Sequence, residues 1–388
     1  MEYNEIAEIM SISILIAGDI VPYERTEKFF RQKNSTGLFG KEVNSLISNS
    51  DFSIINFEAP IIQENSETPI KKSGPNLHSF PEVLDTLKDV GINMITLANN
   101  HFRDQGQNGV ENTLDYADTI GIKYVGGGKN ISQARQISFQ RIKGKQFSFI
   151  NVCEQEWSIA DKEYGGSNPY DIINIHHDIV EAKQRADYVI LIIHGGIEHY
   201  QLPSPRMKKE YRYFVELGAD AVVNHHQHCF SGYEIYQGKP IFYGLGNFCF
   251  DRKAYKKNGM WDEGLVLNLF FDDDYVKFEI FPIQQCGDTP NVRMLEKNAF
   301  KNRLQELNDI IQDDNKLEAE YVKWVLSKSK QRISQLNAFG NKYFDKIYKR
   351  GWLGRLYSNK RIYIIKDLLY CESHIDSIKY MLKELVRS

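Results

Sequence analysis

The sequence predicts an α/β fold, and three features carry that prediction. Short apolar runs alternate with amphipathic segments as far as residue 228, hairpin signals follow, and from about Asn298 the texture is helical only. Near-continuous apolar runs suit strands buried on both faces, and their alternation with helices implies right-handed crossovers and mostly parallel pairing. The third feature is where the runs stop. Ile14–Ala17 ends at Gly18-Asp19, Ile54–Phe57 at Glu58, Met94–Ala98 at Asn99-Asn100-His101, Val189–Ile193 at His194, and Ala221–Val223 at Asn224-His225-His226-Gln227-His228. Ligands of α/β sheets gather beyond the carboxyl ends of such strands, so this grammar outlines a metal site built from oxygen and nitrogen donors.

Taken in order, residues 1–10 read as a lead-in, 11–297 as the α/β domain and 298–388 as a helical extension. A first strand over Ile12–Ala17 precedes amphipathic helix around Glu24–Arg31 and Lys41–Ser48, then a second strand over Phe52–Phe57. Ala59–Phe80, rich in Pro, Ser, Glu and Lys, is a long loop of the kind that is often functional. Pro81 suits the first helical position before Glu82–Val90. Strand Asn93–Leu97 is followed by a helix over Gly106–Gly121 that ends on glycine, and Lys123–Val125 is a short strand. Ile137–Ile142 and Gln146–Val152 form a hairpin across Lys143-Gly144-Lys145. Helix is expected at Asp178–Ala186, which leaves His176-His177 exposed ahead of it. Strand Tyr188–Ile193, helix Pro205–Leu217 and strand Ala221–Asn224 complete the alternating part. Antiparallel pairs follow, Tyr233–Tyr236 with Pro240–Tyr243 and Gly264–Phe271 with Tyr275–Pro282. In the extension, Leu317–Leu326 and Ile362–Leu369 are amphipathic, and the region reads as a helical cap on the α/β domain. Its aromatic and basic run Tyr343–Tyr363 is the one stretch suited to touching a membrane or a partner.

Composition removes several function classes. A chain of 388 residues buries a large core, and its net charge of -3 gives no electrostatic case for nucleic acid. Cys153, Cys229, Cys249, Cys286 and Cys371 are scattered without metal-type pairing, which fits reduced thiols. The start Met1-Glu2-Tyr3-Asn4-Glu5 lacks a basic n-region, and no run approaches the roughly 20 apolar residues of a membrane span. A cytoplasmic protein is the expectation; the oligomeric state is open.

Each candidate residue also has a bland reading. Asp19 alone is a common turn or cap residue, Glu58 alone would be solvated, and His194 before Gly195-Gly196 fits a buried histidine at a tight turn. His225-His226-Gln227-His228 resists that treatment, because three imidazoles in four residues are costly to explain as packing. In an extended segment His226 and His228 would project from the same side. Carboxylate, amide and imidazole donors without thiolate suit Mn²⁺, Fe²⁺ or Zn²⁺ and argue against a structural zinc site. Two such ions sharing a carboxylate would activate water for hydrolysis.

Gly18-Asp19, Asn56-Phe57-Glu58, Leu97-Ala98-Asn99-Asn100-His101, His194-Gly195-Gly196, His225-His226-Gln227-His228 and Tyr243-Gly244-Leu245-Gly246-Asn247-Phe248 occur in that order. In this the chain resembles the CapA-type family of bacterial capsule and poly-γ-glutamate synthesis proteins, a branch of the calcineurin-like metallophosphoesterases, over roughly residues 10–285. The resemblance implies a four-layer sandwich of mixed sheets flanked by helices, with two divalent metal ions. It implies Asp19, Glu58, Asn100, His194, His226 and His228 as ligands and His101 as the group near the leaving oxygen. This chain departs from the wider superfamily in having Val21 where an Asp-X-His opening has histidine, Glu58 where a bridging Asp is usual, and Gln227 in place of proline. Asn99, Glu154, Glu156, Glu198, Arg206 and His225 are further candidates for contact with substrate, and Arg206 with Lys208-Lys209 opens a helix where an anion would be welcome. The implied activity is metal-dependent hydrolysis of a phosphoester or γ-glutamyl bond in synthesis of an anionic cell-surface polymer. The alternatives are a non-catalytic metal-binding assembly factor of that pathway and a general phosphoesterase unrelated to capsule.

Overall fold

The computed structural model describes residues 11–63, 67–254, 259–272, 275–336 and 358–387, with 347 and 350. The lead-in 1–10 and, of the aromatic and basic run, residues 343–346, 348–349 and 351–357 lie outside them. In chain order the strands are β1 (Ile12–Val21), β2 (Phe52–Phe57), β3 (Met94–Thr96), β4 (Lys123–Val125), β5 (Gly127–Gly128), β6 (Ser138–Ile142), β7 (Lys145–Cys153) and β8 (Gly166–Ser167). There follow β9 (Tyr188–His194), β10 (Ala221–His225), β11 (Tyr233–Tyr236), β12 (Lys239–Phe242), β13 (Asn247–Phe250), β14 (Glu263–Phe271), β15 (Val276–Gln285) and β16 (Val292–Met294).

These strands form two large sheets rather than one. The first runs β16-β15-β14-β1-β2-β3-β4 with β13 also on β1; the second runs β11-β12-β10-β9-β7-β6. In the first sheet β1, β2, β3 and β4 pair in parallel and β14, β15 and β16 antiparallel; in the second β7, β9, β10 and β12 pair in parallel, with β6 and β11 antiparallel at the edges. The alternation in the sequence reports the parallel pairs but not the point, after β4, where the chain leaves one sheet for the other. The inner faces pack together: Phe52 stacks on Phe149 at 5.5 Å and Phe147 meets Phe271 edge-on at 5.1 Å. Each such fully buried aromatic side chain contributes roughly 1.5–3 kcal/mol of transfer free energy.

Helices cover both outer faces. Among them are α1 (Lys41–Ser48), α2 (Pro81–Asp89) and α3 (Gly106–Ile120), which lay Val43, Leu84 and Leu114 on the outer face of the first sheet beside Leu15 and Ile55. Helices α4 (Ile172–Arg185) and α5 (Pro205–Glu216) bring Ile179 and Phe214 to the second sheet. The result is helix, sheet, sheet, helix. The expected helix over Glu24–Arg31 is a 3₁₀ turn, Glu24–Thr26, running into Glu27–Arg31.

Helix α4 starts well ahead of Asp178. The Asp171 side chain accepts from the Asn174 amide at 2.8 Å, an N-cap that satisfies an otherwise orphaned donor. His176 therefore lies inside the helix, half-buried, with Nδ1 2.8 Å from the Tyr213 hydroxyl, and only His177 is exposed.

The C-terminal helices α6 (Lys301–Gln312), α7 (Asp314–Leu336), α8 (Asn359–Tyr370) and α9 (Glu372–Arg387) pack against the α/β part. Phe300 stacks on Phe230 at 4.7 Å, and Trp324 meets Tyr200 at 4.9 Å with the rings tilted by 38°. Lys208, expected to greet an anion, is instead almost fully buried and bonds the Ile311 carbonyl and Asp314, which fixes the α6–α7 junction. Among the described residues no helix is long and apolar enough to cross a membrane.

Candidate metal centre

The carboxyl ends of β1, β2, β3, β9 and β10 meet where the two sheets face each other, and the backbone there is shaped for close approach. A Cβ on Gly18 would stand 1.9 Å from the Gly246 carbonyl oxygen, so only glycine lets the segment leading into β13 lie against β1. That contact sets Asp19 opposite Asn247 in the parallel register. The residues after β10 are not extended as the sequence implied: φ is +91° at His226 and +54° at His228. Such backbone costs of order 1–3 kcal/mol per residue and persists at sites where function holds it. The turn still keeps both rings at the centre, their centroids 6.2 Å apart.

Two donor clusters result, Glu58-His194-His226 and Asp19-Glu58-His228, each with ligand atoms within 4.8 Å of one another. In the first, His194 Nε2 lies 3.1 Å from Asn100 Oδ1, 3.1 Å from His226 Nδ1 and 3.5 Å from Glu58 Oε1. Donors joined through an ion by bonds of ~2.1 Å sit roughly 3–3.5 Å apart, so this spacing fits a cation. In the second, Asp19 Oδ2 lies 3.5 Å from His228 Nδ1, whose other neighbour is Asn247 Oδ1 at 2.9 Å.

Charge makes the same case. Asp19 and Glu58 are wholly buried, and Asp19 Oδ2 and both oxygens of Glu58 have no hydrogen-bond partner. Burying an uncompensated carboxylate is among the costliest arrangements in a protein. Burial, and then the Asp19 charge, raise the Glu58 carboxyl well above its usual range. For His228, burial lowers the imidazole, yet Glu58 and Asp19 outweigh it and push it up to about 10. The cluster draws positive charge onto whatever can carry it. Conversely, burial and the neighbouring His226 hold His194 well below its ordinary value, leaving the neutral imidazole that ligation needs.

His101 sits outside both clusters. Its Nδ1–H donates to Asp104 Oδ2 at 2.5 Å, and Lys72, from the long loop, bonds the other Asp104 oxygen with Nζ 3.2 Å from the ring nitrogen. Asp104 and Lys72 escaped sequence reading; the His-X-X-Asp spacing was the available signal for the first, and nothing local marks the second. Asn56 was also missed. It donates to Asp19 Oδ1 at 2.7 Å and lies 3.3 Å from His194 Nδ1, tying the two halves together.

The remaining candidates divide. Glu156 and Glu198 line a cavity of about 420 Å³ together with His101, Asn100 and His226. Glu156 accepts from Asn100 Nδ2 at 2.9 Å, and burial with the Asp367 charge pushes it up to about 8. Asn99 does not face that cavity; it bonds the Phe57 carbonyl and the His101 amide and so shapes the turn after β3. His225 is buried with Nδ1 3.7 Å from Asp19 Oδ1, beneath the clusters. Glu154 and Arg206 point away from the cavity: they pair at 2.5 Å and both bond Ser373 of α9. They anchor the C-terminal helices.

A family model described as bacterial capsule synthesis protein PGA_cap matches residues 13–252. The chain is 28% identical over 303 residues to the capsule biosynthesis protein CapA of Bacillus anthracis, covering 76% of this chain and 72% of that protein. It is 30% identical over 308 residues to the PGA biosynthesis protein CapA of Bacillus subtilis (strain 168), covering 78% and 79%. Among solved structures, the calcineurin-like phosphoesterase YfkN from Bacillus subtilis aligns with 14% identity and a TM-score of 0.42 over 78% of this chain and 99% of that one.

Proposed function

This chain belongs to the bacterial capsule synthesis protein family, and on that premise we propose that it is a metal-dependent hydrolase of capsule or poly-γ-glutamate synthesis, cleaving a phosphoester or γ-glutamyl bond. One observation carries the reading: Glu58, buried with neither oxygen hydrogen-bonded, belongs to both donor clusters. Glu58, His194, His226 and Asn100 would hold one divalent ion, and Asp19, Glu58 and His228 the other; Mn²⁺, Fe²⁺ and Zn²⁺ suit these donors. Bound there, the ions supply a water of lowered pKa and positive charge for the developing oxyanion.

The chain's own groups supply orientation and a proton. With Nδ1–H committed to Asp104, His101 turns Nε2 to the cavity; as the imidazolium, which burial and Lys72 oppose while Asp104 favours it, the ring would donate Nε2–H to a leaving-group oxygen as general acid. Lys72 holds Asp104 from the other side, so the ring has one orientation. The five cysteines are buried free thiols, which supports a cytoplasmic setting. The substrate in this reading is an anionic or polymeric intermediate, not nucleic acid.

The test is turnover by purified, Mn²⁺-loaded protein on bis(p-nitrophenyl) phosphate, p-nitrophenyl phosphate and a γ-glutamyl oligomer. Turnover on one class that disappears in Glu58→Gln supports the proposal. Absence of turnover on all three with metal fully bound would assign the chain a non-catalytic role in assembly.

A further inference from the structure

The cavity at the metal centre has a wall beyond the segment matched by the family model. Trp324, Lys328 and Arg332 of α7 and Asp367 of α8 line it together with His101 and Glu156. Lys328 and Arg332 are one helical turn apart and share a face. Lys328 is exposed at the rim, and Arg332 is half-buried.

What sets Arg332 apart is that no ion-pair partner is found for it among the described residues. Among the described residues no carboxylate lies within 4.0 Å of its guanidinium. Asp367, the strongest negative influence on Arg332, has Oδ2 3.3 Å from His374 Nδ1, and its Oδ1 is buried without a hydrogen-bond partner among the described residues. Burial draws the Arg332 guanidinium below its ordinary value, with Asp367 only partly opposing. Of the lysines that line the cavity, Lys72 is already committed to Asp104 and Lys328 stands at the rim. A partly desolvated guanidinium without a counter-charge costs free energy that a bound anion offsets, and its planar fork suits carboxylate or phosphate.

We propose that Lys328 and Arg332 form an anion subsite that seats a carboxylate or phosphate of the substrate beside the metal centre. The substrate then carries a negative charge apart from the bond that is cleaved, and helices outside the matched family segment set specificity. The inference rests on the hydrolase reading in treating the cavity as the substrate's.

The experiment is calorimetric titration of the full chain with two probes, inorganic phosphate and tri-γ-glutamate, with metal content measured in parallel. Wild type should bind at least one probe, and which one binds decides between phosphate and carboxylate. Arg332→Gln should weaken binding about tenfold or more, Arg332→Lys should recover part of it, and Lys328→Gln should weaken it less, all at unchanged metal content. Lys328→Gln lies on the exposed rim and keeps the test decisive if Arg332→Gln fails to fold. Wild-type binding of neither probe, or equal binding by wild type and the Arg332→Gln/Lys328→Gln double variant, overturns the subsite. Failure of the hydrolase reading looks different: Arg332-dependent binding without turnover on any substrate refutes hydrolysis and leaves the subsite standing. Turnover with an unchanged KM in Arg332→Gln does the reverse.

Discussion

The strand-exit wall of the cavity and its helical wall hold their charged groups in different ways. On the first, donors sit at the ends of parallel strands, so sheet register fixes their separation and the family's sequence pattern records it. On the second, Arg332, Asp367 and His374 come from separate helices, placed by contacts between residues far apart in the chain, such as Glu154 with Ser373. The comparison teaches that a metal-type centre is written locally, whereas the surface that would choose a substrate is written in packing.

The largest effect expected from breaking the first wall is that of Glu58→Gln. Both clusters lose their shared donor, so bound metal should fall sharply and activity should drop by roughly 10²–10³-fold or more, read by metal analysis with turnover. Asp19→Asn, which touches one cluster only, should leave about half the metal.

Next comes His101→Ala, expected to lower turnover by about 10²–10⁴-fold while metal content stays at the wild-type level. A parallel fall in metal would make His101 a ligand. Asp104→Asn should act in the same direction more weakly.

Breaking the second wall should change stability before chemistry. Glu154→Ala removes the most buried partner of Arg206, which keeps Glu210 at 2.6 Å, so the cost should fall below the roughly 3–5 kcal/mol of a buried charge left unpaired. Denaturant unfolding measures it, and metal content should be unaffected.

The smallest effect sharpens the comparison through pH. Burial and the nearby Glu154 charge push the Glu372 carboxyl up to about 7, so the fold favours its protonated form. Its stabilising contribution is complete below the ordinary value of 4.5 and is lost as pH rises through about 7. The thermal midpoint should therefore fall between about pH 5 and pH 8, and Glu372→Gln should reduce that fall by about 2 °C. An identical pH dependence in both proteins would remove Glu372 from the account.

The sequence made the first wall legible because each donor terminates an apolar run. Asp19, Glu58, His194, His226 and His228 stood out as strand-exit candidates, and the family resemblance implied them as ligands; the fold gathers them into two clusters. The sequence misled at His226 and His228, where an extended segment was inferred and a left-handed turn is present, since alternation is silent about φ. It was silent about Asn56, Asp104 and Lys72, which are ordinary polar residues until the fold brings them to Asp19 and His101. Glu154 and Arg206 were read toward substrate because charges beside strand ends and helix starts invite it; their partner on α9 is more than 150 residues away. Arg332 carries no local signal at all.

The most direct test of the central claim is anomalous scattering from a crystal of the protein soaked in Mn²⁺. A pair of peaks is expected at the strand exits, with Glu58 in contact with both, Asp19 and His228 on one side and His194 and His226 on the other. Manganese bound elsewhere, or a single peak that Glu58 does not touch, would contradict it.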